Sequence, residues 1–237
     1  MAQKKVTGVQ FPGESKRYRT NRNALLRAEA KLRKHVEDVA ALRRRMPLGG
    51  EVKEDYVFEE GAPDLADAET VRQVRLSELF EAGKDDLVLY NFMYGPQMDH
   101  ACPMCTSFLD ALDGEVRHIN QRANLAVVAR SPIQRIREHA RARGWRAFRL
   151  LSSANNTYNA DYHGQSADGS QLPMLNVFTR RKGKIHHFYG TELLFAKTGR
   201  GQDARHIDMV WPLWAVLDFT PAGRGKDWYP ALNYPSA

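Results

Sequence analysis

The 237-residue chain is 43% hydrophobic, carries a net charge of +7 and holds two cysteines. No apolar run reaches the 18 residues of a membrane span, and Met1-Ala2-Gln3-Lys4-Lys5-Val6 lacks the apolar stretch of a signal peptide. A cytoplasmic protein with no membrane partner is expected, in which thiols stay reduced and a structural disulfide has no place.

The length suits one well-buried domain of roughly 150–180 residues with an accessory segment. The charge divides along the same line. Residues 1–46 hold 13 of the 35 Lys and Arg but only four of the 28 Asp and Glu, so residues 47–237 are left with 22 against 24. The arm, residues 1–50, reads as a basic amphipathic helix over about 20–46. Leu25, Leu32, Val39 and Met46 recur every seven residues, Ala28, Val36 and Leu42 fill the same stripe, and Pro47 with Gly49-Gly50 ends it. Aromatic residues able to stack on bases are nearly absent from this segment, so nucleic acid is not expected as a partner. The stripe points instead to packing on the protein itself or to a homodimer through the N-terminal arm.

Residues 56–58 and 70–76 alternate like the strands of a hairpin, and 77–80 reads as a helical turn. Residues 87–93 form a short apolar run of the kind buried inside a sheet. A loop over 94–101 leads to Cys102-Pro103-Met104-Cys105, and a helix is expected from there to about Arg122, with Phe108, Leu112, Val116 and Ile119 on one face. Residues 125–129 are a second buried strand. Ser131 and Pro132 read as the cap and first-turn proline of the next helix, closed by Gly144, and 145–151 as a further strand. Strand, helix, strand, helix in this order implies right-handed crossovers and a largely parallel central sheet. Residues 152–171 are polar and loop-like; 172–178 and 184–189 pair about a turn at Arg181-Lys182-Gly183. A closing helix is expected over 211–219, beginning near His206. The tail, residues 220–237, carries Trp228, Tyr229 and Tyr234 and is expected to pack on the domain spanning 51–219.

The two cysteines carry the chemistry. Their spacing sets the sulfurs about one helical turn apart, close enough for a disulfide to form with little backbone movement. A Cys-x-x-Cys between a buried strand and a helix reads as a redox pair. Cys102 sits where the helix begins, and Pro103 takes the first helical position, where a missing N–H costs nothing. Free backbone N–H groups and the helix dipole favour a thiolate there. A protonated His100 would add to this and Asp99 would oppose it. Cys102 is therefore the expected nucleophile and Cys105, one turn in and shielded, the expected resolver.

The Cys-Pro-Met-Cys segment after a buried strand, with Leu172-Pro173-Met174-Leu175-Asn176-Val177-Phe178 and a following hairpin, resembles the thioredoxin fold. The order of elements is similar to its peroxiredoxin-like branch. Nearly the whole chain resembles the bacterial family of predicted dithiol–disulfide oxidoreductases known as domain of unknown function eight-nine-nine. The matching pieces include the basic arm, Asp55-Tyr56-Val57-Phe58, Phe92-Met93-Tyr94-Gly95-Pro96, Leu151-Ser152-Ser153-Ala154 and Asp218-Phe219-Thr220-Pro221. The resemblance implies an α/β thioredoxin-like domain with a central mixed sheet flanked by helices and an N-terminal helical extension. It also implies that Pro173 is cis and faces the redox pair, presenting the preceding backbone to an extended peptide. The expected partners are a thiol or disulfide substrate, protein or small molecule, and a reductant.

Two other readings stay open. Peroxiredoxins carry Thr or Ser three residues before the reactive cysteine, where this chain has Asp99; a thiol peroxidase would also need a cation such as Arg130 or Arg149 at the sulfur. A metal site would need His100, His163, His186 or His187 to join the cysteines, and no second ligand pair exists at zinc spacing. No cofactor is expected: Gly-x-Ser-x-Gly, Gly-x-Gly-x-x-Gly and Walker-type loops are all missing.

Overall fold

Ser15 starts the first element. Its hydroxyl accepts the Tyr18 backbone N–H at 3.1 Å and caps α1, Lys16–Arg44, in a computed structural model that describes residues 8–205, 207–225 and 227–234. The helix begins four residues before the expected start at about residue 20, because nothing between Ser15 and Thr20 breaks it. It buries none of its own side chains, and Leu25, Leu32, Val36 and Leu42 are exposed along the stripe. By contact the chain falls into two units, Met1–Pro47 and Leu48–Ala237.

The second unit is built on one seven-stranded sheet. In chain order the elements are β1 (Val57–Gly61), β2 (Val71–Arg75), a 3-10 turn (Leu76–Leu79), β3 (Asp86–Asn91), α2 (Pro103–Leu112), α3 (Val116–Ile119) and β4 (Asn124–Ala129). Then follow α4 (Ile133–Arg143), β5 (Arg149–Ser152), α5 (Tyr158–Asp161), β6 (Met174–Arg181), β7 (Lys184–Gly190) and α6 (Pro212–Leu217). The strands lie in the order β2-β1-β5-β4-β3-β6-β7. Only β3–β4 and β4–β5 are parallel; the β1–β2 and β6–β7 hairpins flank them antiparallel. The sheet is therefore mixed. Lys182 and Gly183, both at positive φ, make the two-residue turn that suits the right-handed twist of the β6–β7 hairpin.

Two successive crossovers, β3 to β4 and β4 to β5, step the same way across the sheet, and so place α2 and α4 on one face. Period-two alternation then divides the core. Tyr90, Val127 and Leu150 meet Phe108, Leu109, Ile133, Ile136, Trp145 and Trp214 on the helix face. Leu87, Leu89, Ala126, Val128 and Leu151 meet Tyr56, Leu79, Tyr158 and Phe178 on the other.

Several boundaries differ from expectation for identifiable reasons. The helix after Cys102 stops at Leu112: the Asp113 carboxylate accepts the backbone N–H groups of Arg146 and Ala147 at 3.0–3.1 Å, and Gly114 follows within a 3-10 turn. Ser131 does not cap α4. Its hydroxyl is buried and donates to the Gly95 carbonyl at 3.2 Å, and Pro132 takes the cap position. Gly144, at φ 74°, turns the chain so that Trp145 enters the core before β5 begins, with its indole N–H on Asp110 at 2.8 Å. The closing helix is only Pro212–Leu217, and His206 lies outside the described residues. The tail meets that helix through Trp228 and Tyr229, whose rings lie 6.0 and 6.2 Å from Trp214, and through Arg224, which spans Asp208 and Asp218. No helix among the described residues is long and apolar enough to cross a membrane.

Candidate active site

The end of β3 builds the site. Past Asn91 the chain still follows β4, with Phe92 N–H on the Val128 carbonyl at 2.8 Å and Ser131 N–H on the Tyr94 carbonyl at 2.9 Å. The chain then loops out and returns, and the Cys102 N–H closes the loop on the Met93 carbonyl at 3.0 Å. Arg135, from α4, holds the loop from outside. Its guanidinium donates to the Met98 carbonyl at 2.7 Å and sits 4.6 Å from the centre of the Tyr94 ring. Cys102 is thus delivered, in extended conformation, to the N-cap of α2, with Pro103 in the first turn.

Both thiols are free. Cys102 is half-buried and Cys105 is 3% exposed. The Cys105 thiol hydrogen-bonds the Cys102 sulfur, and with help from the backbone N–H groups of Cys105 and Met104 it holds the Cys102 pKa down to about 6 against the opposing effect of burial. The same hydrogen bond, together with burial and the negative charge on Cys102, pushes Cys105 well up. One sulfur is therefore a thiolate at neutral pH, and its neighbour is the thiol that stabilises it. Cys105→Ala removes the donor; the pH midpoint for Cys102 alkylation should rise by about one to two units, since a hydrogen bond to a charged group contributes on the order of 1.5–3 kcal/mol. Iodoacetamide rates from pH 4 to 10 measure it.

Not every expected participant joins. His100 and Asp99 are exposed, and neither is among the groups that set the Cys102 pKa; among the described residues His100 has no hydrogen bond, ion pair or ring contact. No peptide bond among the described residues is cis, so the Leu172–Pro173 bond is trans, contrary to what the resemblance implied. The trans form is the intrinsically favoured one, and the chain accommodates it: Leu172 N–H bonds the Gly164 carbonyl at 3.0 Å and the backbone runs straight into β6. Pro173 does stand at the same end of the sheet. Met174 registers with Asn91, which sets Pro173 beside the residues leading to Met93 and Cys102. Arg149 is taken up by Glu60, at 2.5 and 3.1 Å, and is not a cation for the sulfur. Arg130 stands half-buried just past the end of β4.

The histidines are dispersed. His187 shares a hydrogen bond with Asn176 at 2.9 Å on the sheet face away from α2, His186 reaches the Gly49 carbonyl, and His163 lies in the loop after α5. Among the described residues no three His, Cys, Asp or Glu side chains are grouped to hold a metal. Reading the sequence missed Tyr90. Its hydroxyl hydrogen-bonds the Cys105 sulfur within one buried cluster, and its only signal was its place in the apolar run, at an even spacing from Phe92.

A strand–helix–strand unit (β3, α2, β4), an antiparallel hairpin (β6, β7) alongside β3, and a closing helix together define a thioredoxin-like α/β fold, with two free cysteines at the N-terminus of the helix that follows β3. Residues 9–235 match the family described as "Bacterial protein of unknown function (DUF899)", and the chain belongs to that family. Similar solved structures include the reduced 2-Cys peroxiredoxin of Plasmodium vivax, at 19% identity over 70% of this chain and 96% of that one, with a TM-score of 0.46. Another is the peroxidoxin BcpB of Mycobacterium tuberculosis, at 17% identity over 70% and 95%, with a TM-score of 0.43. The exposed lipoprotein thioredoxin Etrx1 of Streptococcus pneumoniae has 14% identity over 66% and 98%, with a TM-score of 0.37. No curated protein matches.

Proposed function

We propose that the protein is a cytoplasmic dithiol–disulfide oxidoreductase acting on a protein or small-molecule thiol or disulfide. The observation that carries this reading is the asymmetry of the pair: a half-buried Cys102 with its pKa near 6, and a buried Cys105 whose S–H is directed at it. Exchange requires one reachable thiolate and one thiol held in reserve. In the reductive direction the Cys102 thiolate attacks a substrate disulfide, forming a mixed disulfide and expelling one substrate thiolate. Cys105 then attacks Cys102 Sγ, expelling the second. The Cys102–Cys105 disulfide that remains needs an external reductant, and no cofactor enters.

Insulin reduction by a thiol donor tests the proposal against its main rival. Turnover of insulin with negligible consumption of hydrogen peroxide is the expected result; the reverse pattern makes the protein a thiol peroxidase. The peroxidase reading finds less support here, because the residue three before Cys102 is an exposed carboxylate and Arg149 is engaged elsewhere.

We also propose that α1 pairs with a second copy of itself along its seven-residue stripe, on which Leu32 is 62% exposed. Light scattering should give a dimer for the full chain and a monomer once residues 1–46 are removed. A full-length monomer overturns it.

A further inference from the structure

We propose that Tyr90 is a catalytic residue of the second half-reaction, in which its hydroxyl donates a hydrogen bond to the Cys105 sulfur and stabilises the thiolate that resolves the mixed disulfide. The inference rests on the exchange chemistry proposed above and adds the group that makes its second step possible.

The difficulty lies in Cys105. It is buried, and a buried thiol resists ionisation. Tyr90, Cys105 and Phe108 lie in one buried cluster, and among the described residues the Cys102 side chain, the Tyr90 hydroxyl and the Met93 backbone N–H hydrogen-bond the Cys105 sulfur. They act in opposite directions. Cys102 holds the proton on Cys105, both by accepting its hydrogen bond and by its negative charge, whereas Tyr90 and Met93 favour the thiolate. Once Cys102 has attacked substrate, its sulfur is bonded and uncharged. Both contributions from Cys102 vanish, and what remains around Cys105 is burial and two donors. Completion of the first step thus prepares the second, and it does so through groups already in place.

Tyr90 is built for a fixed position. It is 2% exposed, comes from β3 in the middle of the sheet, and packs its ring 4.8 Å from that of Phe108 on α2. Burial and the neighbouring sulfurs push its own pKa well up, so the hydroxyl stays protonated and serves as a donor throughout. In the step itself the Cys105 S–H bond breaks, and its proton passes to the departing substrate thiolate or, when that thiolate is a weak base, to water. The sulfur lone pair forms the Cys105–Cys102 bond while the Cys102–substrate S–S bond breaks and the electron pair leaves on the substrate sulfur. The dithiol is oxidised and the substrate disulfide reduced, electron for electron.

Stopped-flow reaction of the reduced full-length protein with 5,5′-dithiobis(2-nitrobenzoate) separates the steps, because attack by Cys102 and resolution by Cys105 each release one coloured thiolate. For Tyr90→Phe the first release is expected at the wild-type rate and the second about tenfold slower, with the midpoint of its pH profile moved upward. Trp145→Phe, which disturbs the same core among rings other than that of Tyr90, should leave the second release within about twofold of wild type. An unchanged second release in Tyr90→Phe, or equal slowing in Trp145→Phe, overturns the role of Tyr90 and leaves the exchange reading intact. A wild-type protein that releases only one equivalent overturns the exchange reading itself.

Discussion

Cys102→Ser is expected to bring disulfide exchange down to the uncatalysed level, while Cys105→Ser should keep the first chemical step and stop at the second. A hydroxyl has nothing like the ionisation of a thiol whose pKa is near 6, so the first variant has no nucleophile at neutral pH. Cys105→Ser keeps the attacking sulfur but cannot form the closing S–S bond. It should therefore accumulate a mixed disulfide on Cys102, visible as a mass increase that a reducing agent removes. The same variant captures the physiological partner, whose identity then follows from the trapped adduct. Activity surviving in Cys102→Ser, with no adduct on Cys105→Ser, would reverse or abolish the assignment of roles.

The second large effect lies away from the sulfurs. Arg137→Ala should lower stability by about 3 kcal/mol or more, with Arg137→Lys recovering only a small part. The side chain is 4% exposed, and its guanidinium donates to the carbonyls of Ala62, Asp64 and Asp67 at 2.5, 2.8 and 2.7 Å, fixing the chain between β1 and β2 onto α4. A Cβ at Gly61 would come within 2.5 Å of that guanidinium, so the glycine is required by this close approach. A lysine supplies one compact donor group, not a planar fork, and cannot satisfy three separated carbonyls. With a urea dependence of about 1–3 kcal/mol per molar, the unfolding midpoint should fall by about 1–3 M. A shift under about 0.3 M would mean that the loop does not depend on this anchor.

Legibility followed the physics of each signal. The strands at 87–91 and 125–129 were plain because continuous apolar runs between turn residues have few other uses, and the β6–β7 hairpin because Gly183 at its tip adopts positive φ without cost. The start of α2 was plain from Cys102-Pro103, since a proline at the first helical position marks where a helix begins. The rest failed where a residue's role is set by something distant in sequence. Ser131 has the composition of a cap, yet the Gly95 carbonyl 36 residues away claims its hydroxyl. Residues 113–122 continue a helical stripe, yet Asp113 is drawn to the chain after α4 and the helix breaks. His100 is adjacent to the motif but sits on an exposed turn, and nearness in sequence did not bring it to the sulfur. The cis form of Pro173 came from likeness to other proteins, and this backbone reaches β6 with a trans bond.

Local chemistry alone placed a thiol at a helix start, because the residue spacing, the proline and the preceding buried strand act within a dozen residues of one another. The difference in ionisation between the two sulfurs is of another kind. Tyr90 lies 15 positions before Cys105, Met93 12 before it, and they meet that sulfur only because β3 runs beneath α2 when the sheet closes. Ionisation depends on which dipoles and charges stand within a few ångströms, and packing brings those together from segments whose order along the chain carries no record of it.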